Sequence, residues 1–282
     1  MRDVLDNPGL VLDIMREVAD AEIMPRYRTL AEHEITEKKP GDLVTIADKE
    51  SERALTQHLT ALLPGSRVLG EEGYEADPAT LKVLGGDAPV WIVDPVDGTH
   101  NFAHGKSPFT VIVALTDGTG VRAGWIIDPV KSDAAWAIRD TGVYYQDATG
   151  NVTAPTRPDK KFEDGVMTAG PKLQDRIAKA ALELSIPKPK LKARYRCVGR
   201  EYMDIAIGAL DFARYGGLLK PWDHAAGVLI VEEAGGRVRR LGDGAPYTLS
   251  TSLDSQFIGV AGAEMHWTAF EKLARRADEL PG

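Results

Sequence analysis

The pattern of apolar and polar residues predicts a helix, a loop, a strand and a second helix in the first 63 positions. Apolar residues recur every three or four positions over residues 11–23, which predicts a helix that begins at Asn7-Pro8 and ends near Pro25. The polar residues 36–42 predict a loop, and residues 43–47 predict a strand. Asp48 is then expected to be the N-cap of a helix that runs to Leu63.

Short apolar runs bounded by turn residues predict the strands that follow. Residues 67–69 form one run and residues 90–93 another, and Pro95 is expected to end the second because proline cannot donate to a ladder. Between residues 109 and 146, alternation and regularly spaced turns predict an antiparallel meander, with Trp125 and Trp136 in the core.

The remaining chain alternates strands with helices, which indicates an α/β layer. Strands are predicted at residues 166–169, 195–198, 212–215 and 256–261, and helices at residues 174–185, 200–210, 223–233 and 263–280. Residues 147–161 are polar and contain proline and glycine, so they are the candidate boundary between residues 1–150 and 151–282. The sequence therefore predicts an α/β protein whose first half is α+β.

Composition excludes some classes of protein. The chain has 282 residues, of which 43% are apolar and 27% charged, and its apolar runs are too short to span a membrane. The N-terminus lacks the basic and then apolar layout of a secretory signal, so a cytoplasmic location is expected. The formal charge of -8 argues against a nucleic-acid partner, and Cys197 is expected to be a packed thiol.

The candidate functional residues are concentrated just after the strand predicted at residues 90–93. Asp94 and Asp97 lie there with the Val96 carbonyl between them, and the Thr99 hydroxyl follows. Gly98 tolerates backbone angles that other residues avoid, so the chain can turn sharply and present its amides to a phosphate. Carboxylate, carbonyl and hydroxyl oxygens are the ligands that Mg²⁺ prefers. The segment therefore indicates phosphoryl-transfer chemistry.

Four segments resemble, in order, the motifs of the inositol monophosphatase family of Mg²⁺-dependent, lithium-sensitive phosphatases. Residues 94–104 read Asp-Pro-Val-Asp-Gly-Thr-His-Asn-Phe-Ala-His and are similar to the first signature. Residues 222–227, Trp-Asp-His-Ala-Ala-Gly, resemble the second. Residues 69–72, Leu-Gly-Glu-Glu, and 42–48, Asp-Leu-Val-Thr-Ile-Ala-Asp, resemble two further blocks.

The resemblance implies a layered α-β-α-β-α sandwich, as in sugar phosphatases, with the active site between the two halves. It also implies a homodimer that acts on a small phosphate ester. Two or three Mg²⁺ ions would be bound by the Val96 carbonyl and four carboxylates: Glu71, Asp94, Asp97 and Asp223.

The resemblance also assigns catalytic roles. Thr99, held by Asp48, would align a metal-activated water together with Glu71, and no phosphoenzyme would form. The amides of Gly98 and Thr99 would hold the phosphate. A family lysine approaches the metal site, and the spacing leaves Lys38 and Lys39 both open for that place.

The candidate substrate contacts depart from the inositol-binding pattern. Inositol-binding members tend to have Gly-Thr-Ala or Gly-Ser-Ala where this chain has Gly199-Arg200-Glu201. They also carry a glutamate before the second signature, whereas residues 212–221 contain no acid. The candidate substrate contacts are these three residues together with Asp97 and Asp223.

Two roles are open for Arg200. It could donate to a carboxylate or second phosphate of the substrate, with Lys220 as a further positive charge. It could instead pair with Glu201 or Asp204 on the helix surface. The first role predicts that a substrate more anionic than inositol 1-phosphate is preferred.

Three functions are compatible with these observations. The first is a phosphatase of polyol or sugar phosphates, of which myo-inositol 1-phosphate is the family's common substrate. The second is a 3′(2′),5′-bisphosphate nucleotidase, a fructose-1,6-bisphosphatase or a histidinol-phosphatase. The third is a regulatory binding protein on a phosphatase scaffold. The complete set of acidic residues favours an enzyme.

Overall fold

The structure is a computed structural model that describes residues 1–39 and 41–281, apart from the side chain of Asp42. Pro40 of the predicted loop and Gly282 of the second half lie outside the described residues. The helices are α1 Arg2–Asp6, α2 Gly9–Val18, α3 Ile46–Leu62, α4 Glu71–Ala76, α5 Thr99–Ala103, α6 Pro171–Leu184, α7 Val198–Ala206, α8 Pro221–Glu233 and α9 Trp267–Glu279.

The strands form one hairpin and two larger sheets. They are β1 Ile35–Lys39, β2 Asp42–Thr45, β3 Arg67–Gly70, β4 Val90–Asp97, β5 Thr110–Asp117, β6 Gly120–Asp128, β7 Asp133–Ile138, β8 Gly142–Gln146, β9 Val152–Thr153, β10 Val166–Thr168, β11 Lys190–Lys192, β12 Phe212–Leu218, β13 Arg237–Arg240 and β14 Ser255–Ala261. β1 and β2 pair with each other. The larger sheets have the orders β3-β4-β5-β6-β7-β8-β9 and β11-β10-β12-β14-β13.

Three apolar clusters hold five layers together. α2 and α3 cover one face of the seven-stranded sheet, where Trp125 and Trp136 are buried. α7 and α8 lie between the two sheets. α6 and α9 cover the outer face of the five-stranded sheet. This α-β-α-β-α sandwich confirms the predicted fold class.

The chain before α3 differs from the prediction. Residues 35–39 form β1 rather than a loop, because they pair antiparallel with β2. α3 begins at Ile46, and its N-cap is Thr45 rather than Asp48. Asp48 lies in the first turn and accepts a hydrogen bond from Thr45 N at 2.8 Å, so the two residues form a capping box. Asn7 is likewise not the N-cap of α2, because that position is Pro8. The Asn7 side chain donates to Asp3 O instead.

Two strand predictions were also wrong. β4 continues past Pro95 to Asp97, because a register shift against β5 between Asp94 and Asp97 accommodates the proline. Residues 195–198 do not form a strand, and the strand beside β10 is β11 instead. The Tyr195 carbonyl accepts a hydrogen bond from the Asn101 side chain at 2.9 Å rather than from a ladder partner.

The candidate boundary contains a short strand. β9 lies within residues 147–161 and pairs with β8 at the edge of the seven-stranded sheet. The division of the chain near residue 150 stays a prediction. No helix in the described part of the chain has both the length and the apolar character needed to cross a bilayer.

Candidate active site

Three carboxylates from separate elements converge between the layers. Glu71 is the first residue of α4, Asp94 lies in β4, and Asp223 lies in the first turn of α8. One oxygen of each lies within 4.8 Å of the other two. An all-oxygen group with this many carboxylates fits Mg²⁺, which takes hard oxygen ligands.

The charges of these carboxylates oppose one another. Burial raises the pKa of Asp94 well above its usual value, and the neighbouring charges of Glu71, Asp97 and Asp223 raise it further. A divalent cation would relieve this repulsion, because it attracts every member of the group. The electrostatics therefore agree with a cation site.

Two lysines flank Glu71. Lys220 Nζ donates to Glu71 Oε1 at 3.2 Å, and Lys38 Nζ lies 3.7 Å from the same oxygen and 2.6 Å from Glu72 Oε1. Burial lowers the pKa of Lys38, but attraction by Glu71 and Glu72 outweighs it and the pKa is raised. The structure therefore places Lys38, of the two candidates, beside the acidic group.

Asp48 connects the start of α3 to Thr99. Its Oδ2 accepts hydrogen bonds from Thr45 N at 2.8 Å and from Thr45 Oγ1 at 2.6 Å, and its Oδ1 accepts from Thr99 Oγ1 at 3.0 Å. Thr99 Oγ1 also lies 2.9 Å from Val96 O. Burial raises the pKa of Asp48 to about 7, against the lowering effect of the bonds from Thr45. A carboxylate with this pKa can accept a proton at neutral pH.

Gly98 forms the sharp turn between β4 and α5. Its φ is 92°, in the left-handed region that disfavours other residues. A Cβ at this position would lie 3.1 Å from Pro108 O and 3.2 Å from Arg196 O, so there is little room for a side chain. The turn holds Thr99 close to Asp48. Phosphate binding by the amides of Gly98 and Thr99 stays a prediction.

Asp97 connects β4 to the beginning of α7. Its Oδ2 accepts from Gly199 N at 2.7 Å, Thr110 Oγ1 at 2.9 Å and Cys197 Sγ at 3.1 Å. Its Oδ1 accepts from Val198 N at 3.1 Å. Asp97 is not in the group of three carboxylates above, although its charge acts on Asp94. Its expected roles in metal and substrate binding stay predictions, and its structural role at α7 is new.

Glu52 is a further part of the site that the sequence analysis missed. Its carboxylate accepts from Glu72 N and Gly73 N, both at 2.8 Å, and so caps α4, where Glu71 lies. A Cβ on Gly70 would lie 2.2 Å from Glu52 Cδ, so glycine is needed for this close approach. Glu52 lies four residues after Asp48, one turn along α3, and this spacing was the available signal.

The expected substrate contact by Arg200 is wrong. Arg200 is buried, and its Nη1 donates to both carboxylate oxygens of Asp133 at 2.8 Å. Its Nε donates to Asp204 Oδ1 at 2.8 Å, and Nη1 also lies 3.6 Å from Asp128 Oδ2. The arginine therefore joins α7 to the β6–β7 turn. Pairing with Asp204 was the alternative role, although the pair is buried rather than on the helix surface.

The residues on either side of Arg200 also face the interior. Gly199 is buried, its amide donates to Asp97, and a Cβ there would lie 2.3 Å from Thr110 Oγ1. Glu201 is buried, and its Oε1 accepts from Tyr195 N at 3.1 Å. The Gly199 backbone and the Glu201 side chain are enclosed by protein, as Arg200 is, so the expected substrate contacts of both are corrected for the same reason.

Converging carboxylates in a layered α-β-α-β-α sandwich are typical of enzymes that transfer or remove phosphoryl groups. The sequence model of the inositol monophosphatase family matches residues 12–281, which is nearly the whole chain. The chain therefore belongs to the inositol monophosphatase family, and it is a phosphatase, a hydrolase of phosphoric monoesters.

Named relatives agree with this assignment. The chain is 29% identical to the inositol-1-monophosphatase of Bacillus subtilis over 240 residues, which cover 84% of this chain and 85% of the relative. It is 35% identical to the inositol-1-monophosphatase of Mycobacterium leprae over 206 residues, or 71% and 69% of the two chains. These are proteins that the chain resembles in sequence.

Solved structures share the fold. The IMPase of Thermotoga maritima superposes with a TM-score of 0.77 at 20% identity, covering 97% of this chain and 98% of that one. Inositol monophosphatase-II of Staphylococcus aureus superposes with a TM-score of 0.70 at 23% identity, covering 99% and 96%. At these identities the likeness establishes the fold alone.

Proposed function

We propose that the chain is a Mg²⁺-dependent phosphomonoesterase that hydrolyses a small phosphorylated metabolite, with inositol 1-phosphate among its substrates. The observation that carries the proposal is the convergence of Glu71, Asp94 and Asp223 within 4.8 Å, beside the Asp48–Thr99 pair. A phosphate monoester is a dianion, so a purely acidic site would repel it. The acidic group makes sense as a phosphatase site only when cations are bound.

The carboxylates supply the binding site for the metal. Glu71, Asp94 and Asp223 would hold Mg²⁺, with Asp97 and the Val96 carbonyl as further ligands of a second or third ion. When bound, Mg²⁺ supplies positive charge that offsets the phosphate dianion and lowers the pKa of water.

Thr99 and Asp48 supply orientation and a proton acceptor. The Thr99 hydroxyl donates to Asp48 Oδ1, so its oxygen is left to accept a hydrogen bond from an attacking water. As water attacks phosphorus and the bond from phosphorus to the ester oxygen breaks, the proton of the water can pass to Thr99 Oγ1 while the Thr99 proton passes to Asp48. The departing alkoxide takes a proton from solvent and leaves as the alcohol. This transfer needs no covalent intermediate on the protein, so we infer direct displacement by water.

The test is hydrolysis of inositol 1-phosphate by purified protein in Mg²⁺ and after removal of metal by EDTA. We expect turnover only with Mg²⁺, and a loss of more than about a hundredfold in kcat for Asp94→Asn, because removal of even supporting ligands weakens metal sites by 10- to 100-fold. Asp87→Asn removes an exposed acid outside the site and is the matched control. Turnover at the untreated rate after EDTA would disprove the metal requirement.

Lithium provides a second, independent assay of the same site. Li⁺ would compete for one Mg²⁺ position and hold phosphate after cleavage, so millimolar Li⁺ at limiting Mg²⁺ should slow turnover. Unchanged turnover under these conditions would contradict this part of the proposal.

A further inference from the structure

A basic groove lies between the N-terminus of α6 and β12. It is a cavity of about 350 Å³ lined by Gly170, Pro171, Lys172, Leu173, Arg176, Arg194, Arg214 and Gly216. Four of these residues are cations, and none is an acid. We call this cavity the arginine groove. Its volume falls within the range of roughly 300–1,000 Å³ typical of small-molecule sites.

The positive charge of the arginine groove is incompletely neutralised by the protein. Arg214 pairs with Asp278, and Arg194 lies near the buried carboxylate of Glu201. Among the described residues, the side chain of Arg176 has neither an ion pair nor a hydrogen bond, although its Nε is shielded from water. A buried donor without an acceptor is costly unless a ligand supplies one.

Repulsion among the arginines of the groove also favours a bound anion. Burial lowers the pKa of Arg214, and although Asp278 raises it, the charges of Arg176 and Arg194 oppose protonation further. Holding guanidinium groups near one another costs free energy that an anion would recover. Pro171, Lys172 and Leu173 in the first turn of α6 also line the groove, and this end of a helix carries partial positive charge.

The arginine groove adjoins the candidate active site through two chain segments. Arg194 is three residues from Cys197, whose Sγ contacts Asp97 at 3.1 Å, and three extended residues span at most about 10 Å. Gly216 lies in β12, four residues before Lys220, which donates to Glu71. These two segments lead from the carboxylates to the groove, and a substrate that uses both must span them.

We propose that Lys172, Arg176 and Arg194 bind a second phosphate group of the substrate, so that the preferred substrates are bisphosphates of small metabolites. This inference rests on the proposed phosphatase function and assigns its substrate class. It gives to the arginine groove the role that the sequence alone suggested for Arg200, whose guanidinium is occupied by Asp133 and Asp204.

Two matched pairs of substrates test the proposal. Fructose 1,6-bisphosphate is compared with fructose 1-phosphate, and 2-phosphoglycerate with glycerol 2-phosphate, by kcat/KM in Mg²⁺. The first pair differs by a phosphate and the second by a carboxylate. We expect the bisphosphate to be preferred, through a lower KM, and the preference to weaken with ionic strength because open charges are screened.

Three substitutions then show which residues cause the preference for the bisphosphate. Arg176→Gln should reduce the ratio of the two kcat/KM values for the fructose pair by roughly tenfold, as expected for loss of one charged hydrogen bond. Lys172→Gln, an exposed change less able to disturb folding, should reduce it by a smaller factor. Lys179→Gln removes an exposed charge from the same helix outside the groove, so it should leave the ratio unchanged.

The outcomes separate the two proposals. Hydrolysis of every substrate with no bisphosphate preference, or an equal change in Arg176→Gln and Lys179→Gln, would overturn the role of the groove while the phosphatase function stands. A preference in the carboxylate pair alone would overturn the assignment to phosphate. Absence of hydrolysis in both pairs, while inositol 1-phosphate is turned over, would overturn this inference alone. Only the additional absence of inositol 1-phosphate turnover would overturn the proposed phosphatase function.

Discussion

At the scale of single residues, the catalytic role proposed for Asp48 and the stability of the fold make opposite demands on its charge. It is 2% exposed and accepts three hydrogen bonds, from Thr45 and Thr99, yet burial still raises its pKa to about 7. Three hydrogen bonds hold the carboxylate in place, although burial opposes its charge. The neutral form is the more stable one in the folded protein up to about pH 7.

Asp48→Asn should therefore make the metal-free protein more stable in base and less active. The pKa of Asp48 is raised on folding. Its contribution to the free energy of unfolding is therefore fully present below its unfolded pKa near 4, and it is lost as pH rises through about 7. That loss is at most about 4 kcal/mol, and asparagine avoids it. We expect the melting temperature in EDTA to fall less between pH 5 and 8 in the variant than in the wild type.

The activity of Asp48→Asn should fall by roughly a hundredfold or more, because an amide cannot accept the Thr99 proton. Asp243→Asn is the control, because the pKa of Asp243 is shifted in the opposite direction from that of Asp48. Asp243 is exposed and its pKa is lowered, first by a hydrogen bond from Ala245 N, so its removal should slightly reduce stability at pH 8 and leave activity unchanged. A steeper decline of stability with pH in Asp48→Asn than in the wild type would contradict this explanation.

Arg200 marks the limit of prediction at this scale. Its neighbour Asp204 was visible at helical spacing, but Asp133 is 67 positions away and becomes a partner only when β7 is placed beside α7. Residue type indicates that an arginine will bind an anion, and it cannot tell whether the anion belongs to substrate or protein. The acidic residues near Glu71 and Asp94 were predictable because a resemblance to known motifs supplied their partners.

At the scale of elements, small residues let α8 pack closely against both the seven-stranded sheet and α7. A Cβ on Gly124 of β6 would lie 2.7 Å from Ala226 Cα, and a Cβ on Gly227 would lie 2.1 Å from Tyr202 Cδ2. The sequence predicted close packing at residues 225–227 of this helix, and the structure confirms it. This contact fixes the position of Asp223 at the start of α8.

Gly124→Ala should displace α8 and weaken the site from a distance. We expect a loss of about 1–3 kcal/mol in the free energy of unfolding, because there is no space for the added methyl group. The KM for Mg²⁺ should rise, since Asp223 moves with the helix. Chemical denaturation and Mg²⁺ titration of activity measure the two effects.

The control is the same substitution at Gly118, in the turn between β5 and β6. A Cβ there meets nothing within 4 Å, so stability and Mg²⁺ dependence should stay close to those of the wild type. Equal effects of the two substitutions would show that the contact with Ala226 does not position the helix.

Periodicity predicted the long elements and failed where tertiary contacts decide. α2, α3 and the meander were found because their apolar residues repeat over many positions. β1 has no apolar period, and pairing with β2 alone makes it a strand. Residues 195–198 have a strand-like composition, but their polar groups bind Asn101 and Asp97 instead of a neighbouring strand.

At the scale of the whole molecule, the candidate metal site joins the layers. Asp94 belongs to the seven-stranded sheet, and Asp223 to the helical layer between the two sheets. Asp97 adds a direct link from β4 to α7 in the same layer. Without a cation, the carboxylates repel one another and oppose this assembly. Bound Mg²⁺ should therefore stabilise the fold as well as the reaction.

We predict that Mg²⁺ raises the melting temperature of the wild type, and that Asp223→Asn removes most of the increase. A ligand that binds only the folded state at a hundred times its dissociation constant adds about 2.7 kcal/mol of stability. In EDTA, Asp223→Asn should be at least as stable as the wild type, because one of the repelling charges is gone. Asp87→Asn, an exposed change outside the site, should keep the full Mg²⁺ effect. If Asp223→Asn retained the wild-type increase, the cation would not be held between the layers, and Asp223 would instead serve α8 as an acid that offsets the dipole of its first turn.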